Sequence, residues 1–274
     1  MALPPPVYAP FYHLVAEAGC RPVEVPLQDD GAAYRLDLPG IDAALAAGAR
    51  AVLLCNPHNP LGLVHAREEL AELAEIVERH GAHVVSDEIH APLTHRGATF
   101  TPYLSVSDAA RRHGVAAASG SKAFNLAGLK AAMFVVDSEP MAQWLATVPD
   151  AVSYRTGIMG LLATQEGFRH ATDWLDATIE VIESNIALLE RQLADKLPQV
   201  RFRRGSATYL AWLDMRDLGW GDDPAEHAAE RAKVALSSGP TFGAGGAGFA
   251  RMNLACSPDT IVEAVDRLSS AARG

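Results

Sequence analysis

AVLLCNPHNPLGLVHAREELAELAEIVERHGAHVVSDEIH, residues 51–90, holds one full cycle of an alternating fold. Ala51–Cys55 is an apolar run of strand length. Behind it, "CNPHNPLG" carries two Asn-Pro steps, which hold the backbone extended and non-helical ahead of a glycine turn. Across Arg67–His80 the apolar residues Leu70, Leu73, Ala74 and Val77 recur at helical spacing, and His83–Ser86 is again strand-like. Strand, helix and strand in succession predict a parallel pair with a crossover helix. The same reading extends outward. Val23–Leu27 predicts a strand upstream; downstream come a short helix near Ser107–His113, a strand at Val115–Ala118 and another at Ala131–Val136. The fold class is therefore α/β, a mostly parallel sheet with helices on both faces.

Beyond Pro149 the pattern changes. A helical stretch, Gly157–His170, leads into a long helix from about Asp173 to Leu197 that ends at Pro198. A smaller α+β unit follows, with strands in "ATYLAWLDM" (207–215) and "GFARMNLAC" (248–256), a helix around Asp223–Leu236 between them, and a last helix from Pro258. With 274 residues and 49% hydrophobic content the chain can bury a large core. Its formal charge of −10, with acidic residues scattered, leaves no basic face for nucleic acid. Cys20, Cys55 and Cys256 are far apart and form no CxxC pair, which fits a reducing cytoplasm and argues against a disulfide framework or structural zinc. No apolar run approaches a membrane span, and "MALPPPVYAPF" lacks the regions of a signal peptide. The expected location is cytoplasmic.

The chemistry-bearing residues stand at strand ends, where open α/β sheets bind ligands. In "ASGSKAFNLAGLK" (118–130) an apolar run breaks into small hydroxyl and glycine residues around Lys122. "VVSDEIH" puts Asp87 at the end of a run that would be buried, where a carboxylate is costly without a cation or strong donors. A protonated pyridine nitrogen is such a cation, and a Schiff-base lysine with an acidic partner for that nitrogen is the signature of pyridoxal phosphate sites. Ser119, Ser121 and Lys130 then supply donors and charge for the phosphate. Plainer readings stand beside these. A lone lysine after a strand can be solvated, Asp87 can cap a helix, and Arg251 can be a structural ion-pair former. Tyr8 can be a packing residue; His58 and His90 match no metal motif and read as satisfied polar histidines.

In order along the chain, "NPHNPLG", "SDEIH", "SGSKAFNLAGLK" and "GFARMNLAC" resemble the fold-type I pyridoxal-phosphate enzymes of the class I/II aminotransferase superfamily. "DEIH" and "TYLAWLD" look like its cystathionine β-lyase (C–S lyase) branch of MalY/PatB type. The resemblance implies a cofactor, pyridoxal 5'-phosphate, anchored on Lys122 with Asp87 on its pyridinium nitrogen. It implies that Asn59 and His90 bond the phenolic oxygen, Tyr8 stacks on the ring, and Ser119, Ser121 and Lys130 hold the phosphate. Lys130 stands where many relatives have arginine, which keeps the charge and loses the bidentate fork. Arg251 would bind the substrate α-carboxylate.

The implied activity is cleavage of cystathionine or related S-substituted cysteines to thiol, pyruvate and ammonia. Amino-group transfer to a 2-oxo acid is the alternative, and a non-catalytic truncated fragment or pseudoenzyme is a third reading. The implied units are residues 1–155, a cofactor-binding large domain incomplete at its N-terminus; 156–197, connecting helices; and 198–274, a small domain. Relatives carry a further N-terminal portion before the segment of Tyr8, so this chain is expected to be N-terminally truncated. They are homodimers, so a homodimer is expected, with an amino-acid substrate and neither nucleic acid nor membrane as partners.

Overall fold

The computed structural model describes residues 1–273; Gly274, the last residue of the third expected unit, lies outside the described residues. The strands in chain order are β1 (Ala2–Leu3), β2 (Val23–Glu24), β3 (Gln28–Asp29), β4 (Tyr34–Arg35), β5 (Ala51–Cys55), β6 (His83–Asp87), β7 (Gly114–Ala118), β8 (Met133–Val135), β9 (Arg201–Phe202), β10 (Leu210–Asp214), β11 (Ser237–Ser238) and β12 (Phe249–Asn253). Six of them form one sheet in the order β2-β1-β5-β6-β7-β8. All neighbours in it run parallel except β7 and β8, which pair antiparallel.

Period-2 alternation explains why β5 reads as an unbroken apolar run. Val52 and Leu54 face one layer, with Leu70, Leu73 and Val77 of the helix Arg67–Arg79 and Ile41 and Leu45 of the helix Leu38–Ala46. Leu53 and Cys55 face the other, against Phe11 and Val15 of the helix Pro10–Glu17. A strand covered on both faces needs apolar residues at every position. The register then aligns the ends. Cys55 pairs with Asp87, and Asp87 with Ala117, so the "NPHNP", "DEIH" and "SGSK" turns leave the sheet side by side.

A second sheet, β11-β12-β10-β9, is antiparallel. The helix Thr172–Lys196 lays Ile179, Ile182, Ile186, Leu189 and Leu193 on it, and the helix Pro258–Arg273 adds Ile261, Val265 and Leu268. The single helix expected over Asp223–Leu236 is shorter. It covers Pro224–His227, widens into a π turn over Ala228–Ala232 and stops at Lys233, which is left-handed. The Val234 N–H then reaches back to the Ala228 carbonyl, the long closing bond of a helix C-terminus, and frees the chain to pair as β11. The helices Pro10–Glu17 and Leu38–Ala46 and the β3–β4 hairpin were not expected from sequence.

Candidate active site

The three aligned turns build the site from one side, and β12 builds it from the other. Asn59 lies in the loop after β5. That loop is pinned by Gly62, whose φ is +63 and whose carbonyl accepts from Ser206 N (2.8 Å) and Ala207 N (3.0 Å). A Cβ there would meet the Ala207 carbonyl oxygen, so the close approach of the two segments requires glycine. Arg251, on β12, donates from Nη1 to Asn59 Oδ1 at 2.9 Å and from Nη2 to Ser237 Oγ at 3.2 Å. One hydrogen bond thus joins two candidate site residues 192 positions apart. Burial lowers the pKa of this guanidinium, while Tyr209 and Tyr8 act in the opposite sense, and the group lies over the Phe242 ring at 5.0 Å.

Asp87 is largely buried and accepts from the Ile89 N–H at 3.2 Å. It has no salt bridge among the described residues. Desolvation holds its carboxyl above the usual range, opposed by the Ile89 amide and the charge of Lys122. His90, 4% exposed, has a buried Nδ1 without a partner. Burial, with Lys122 and Arg251 nearby, pushes it down to about 3, so its imidazole is neutral at physiological pH. Its ring stands edge-on to Tyr209, 6.0 Å between centroids. Lys122 is half-buried and lines a cavity of about 560 Å³ together with Ser121, Tyr209 and Asn253.

Ser119 and Ser121 close the loop that carries the lysine. Ser119 Oγ donates to the Ala131 carbonyl (2.6 Å) and accepts from Ser121 N (3.0 Å), with the two hydroxyl oxygens 2.7 Å apart. Lys130, next to Ala131, is exposed and left-handed at φ +52. Strained non-glycine backbone of this kind collects at ligand-binding turns. Tyr8, partly exposed, packs edge-on against Phe11 at 5.5 Å. All eight expected cofactor residues and Arg251 therefore lie on segments that converge at the carboxyl edge of the large sheet and the adjoining strand β12.

Two residues here, Tyr209 and Glu88, had no assigned role in the sequence, and His58 had only the plain one. Tyr209 sits inside the quoted "TYLAWLD" yet only the fold brings it to Lys122. His58, fully buried, bonds the Pro6 carbonyl through Nε2 at 2.8 Å and so ties the segment of Tyr8 to the loop of Asn59. The plain reading of His58 and His90 as satisfied polar histidines is corrected: in each the buried Nδ1 has no hydrogen-bond partner among the described residues. Glu88 is buried against expectation for a residue in a polar turn: it accepts from Ser86 Oγ (2.9 Å) and from the Tyr103 N–H (2.8 Å), holding the turn between Asp87 and His90.

Burial pushes Glu88 up to about 7. Between its ordinary 4.5 and that value the folded chain keeps a proton that the unfolded chain releases, so stability is present at low pH and is lost as pH rises through the window. Glu88→Gln is expected to flatten this part of the profile. Urea unfolding at about pH 5 and about pH 7.5 checks it, and an unchanged slope would contradict the assignment.

The arrangement fits pyridoxal phosphate on its own chemistry: a largely buried carboxylate with no cation paired to it among the described residues, an orphaned imidazole nitrogen, an adjacent lysine, and a serine-rich loop with a cationic residue. The chain matches the family described as aminotransferase class I and II over residues 1–268, and it belongs to that family. Among its relatives, cystathionine beta-lyase PatB of Bacillus subtilis is 36% identical over 275 residues, 97% of this chain and 70% of its own length. Cystathionine beta-lyase of Corynebacterium glutamicum is 34% identical over 268 residues, 98% of this chain and 70% of the relative. Cystalysin from Treponema denticola, solved with a pyridoxal 5'-phosphate cofactor, superposes with a TM-score of 0.93 at 27% identity, over 99% of this chain and 70% of that one.

Proposed function

We propose that this chain, with pyridoxal 5'-phosphate bound, is a C–S β-lyase that converts cystathionine or related S-substituted cysteines to thiol, pyruvate and ammonia. The observation that carries it is Asp87, a largely but not fully buried carboxylate within the field of Lys122, in a chain similar to relatives named as cystathionine β-lyases. Bound cofactor supplies an electron sink for the substrate's α-carbon. Lys122 would anchor it covalently, and its amine, when free, would carry the α-proton. Asp87 keeps the ring nitrogen protonated. Asn59 and His90 hold the phenolic oxygen, Tyr8 covers the ring, and Ser119, Ser121 and Lys130 take the phosphate. Arg251 clamps the substrate α-carboxylate through its planar fork. The C–S bond breaks with its electron pair on sulfur, which leaves as thiol, and water releases ammonia from the remaining three-carbon fragment as it becomes pyruvate.

The family's aminotransferase description favours amino-group transfer as the second reading, and one assay separates the two. With cystathionine and no 2-oxo acid, a lyase releases pyruvate and thiol in equal amounts over many turnovers. A transaminase stops after one turnover with the cofactor in its amine form. Failure to release pyruvate would overturn the proposal, and a chain that folds without taking up cofactor would support the non-catalytic reading.

A homodimer is part of the same proposal. Phe134, Tyr154, Ile158, Met159 and Leu161 are exposed on neighbouring elements, an apolar surface that a second copy would cover. Molecular mass in solution tests it, and a monomer would count against it. Three free cysteines support the cytoplasm as the compartment. Among the described residues no helix is long and apolar enough to cross a membrane.

A further inference from the structure

The wall of the cavity beside Lys122 is formed largely by the helix Thr172–Lys196. Trp174, Ala177, Thr178, Val181 and Ile182 line it at spacings of three and four, one stripe of the helix turned toward the lysine. Leu93 continues the apolar surface, and Lys122 is the sole charged residue in the lining. Trp174 and Val181 are 48% and 53% exposed, unusual values for large apolar side chains on a helix whose next turns carry the buried core of the small sheet. Asn253 also lines the cavity and lies two positions beyond Arg251 on β12, so both side chains stand on the same face of the strand. Lys122 lines the same cavity as this stripe, as does Tyr209, whose ring stands edge-on to His90, so a substrate amine near Lys122 opens onto the stripe.

We infer that the Trp174–Val181 stripe is the subsite for the group carried on the substrate sulfur, and that the enzyme takes S-alkyl and S-aryl cysteines in preference to cystathionine. This rests on the β-elimination reading above and names its substrate class. Cystathionine ends in a second ammonium and carboxylate. In this cavity no carboxylate meets that ammonium, and along the stripe the one polar group is the Thr178 hydroxyl, which already donates to the Trp174 carbonyl; an alkyl or benzyl group instead removes both its own surface and that of Trp174 and Val181 from water.

The test compares kcat/KM for pyruvate release from S-benzyl-L-cysteine, S-methyl-L-cysteine and L-cystathionine in the cofactor-loaded chain. S-benzyl-L-cysteine is expected to exceed cystathionine by about tenfold or more, in the range that apolar pockets discriminate. Val181→Glu, on a half-exposed helix face where the fold tolerates it, is expected to remove that preference through a higher KM for the benzyl substrate, with its urea midpoint showing that the variant folds. Equal or better use of cystathionine by the wild-type chain overturns the inference and leaves the lyase reading standing. A preference that persists with unchanged KM in Val181→Glu overturns the assignment of the stripe. No pyruvate from any of the three substrates overturns the lyase reading and this inference with it.

Discussion

Lys122→Ala is expected to abolish the visible absorbance that the cofactor-loaded chain shows and to lower pyruvate release by on the order of a thousandfold or more, since positioned proton transfer alone contributes about 10²–10⁴-fold. The lysine stands in the turn after β7, beside the carboxylate that its charge partly relieves. Lys130, the other lysine of the loop, is exposed and left-handed at the end of a short 3-10 turn, and is assigned to the phosphate. It is therefore not expected to rescue the variant. The substitution removes the covalent anchor and the proton carrier together, so binding and turnover fail in parallel. Retention of the visible band in Lys122→Ala would mean that another amine holds the cofactor.

Asp87→Asn is expected to act in opposite directions on stability and on catalysis. In the cofactor-free chain the largely desolvated carboxylate is destabilising: its folded pKa lies above the ordinary 3.8, so the stability it contributes is fully present below that value and is lost as pH rises through the folded one. The asparagine variant lacks this loss. It should unfold at higher urea than wild type near neutral pH, with the difference vanishing in acid. With cofactor bound the order reverses, because a neutral amide cannot keep the ring nitrogen protonated, and kcat should fall on the order of a hundredfold or more. Urea midpoints with and without cofactor, taken beside kcat, check both halves. Wild-type kcat in Asp87→Asn would remove the carboxylate from the proposed chemistry.

The large sheet was legible from its central strands: Ala51–Cys55, covered on both faces, is apolar at every position, His83–Asp87 is apolar at Val84 and Val85, and the helix between them carries a clean stripe. The helix Leu38–Ala46 has no comparable signal. It opens with Leu-Pro-Gly under an Asp37 cap, and its apolar residues run nearly all round. Near Lys233 an alanine-rich segment of high helix propensity gave way to a helix terminus, because the chain must turn there to pair as β11.

In the site, Lys122 and Asp87 were readable from local sequence, each a charged residue at the end of an apolar run. Arg251 and Asn59 were read separately; their 2.9 Å bond is a product of how β12 is brought to the "NPHNP" loop, which no local pattern encodes. Glu88 was invisible for the same reason. Its burial depends on Tyr103, fifteen residues downstream, folding back over the turn.

The most direct test of the account is borohydride reduction of the purified chain incubated with pyridoxal phosphate, followed by mapping of the labelled peptide. The account predicts a single pyridoxyl label on Lys122, in the peptide containing Ser121 and Ala123. A folded chain that takes no label, or takes it on Lys130 or elsewhere, would contradict it.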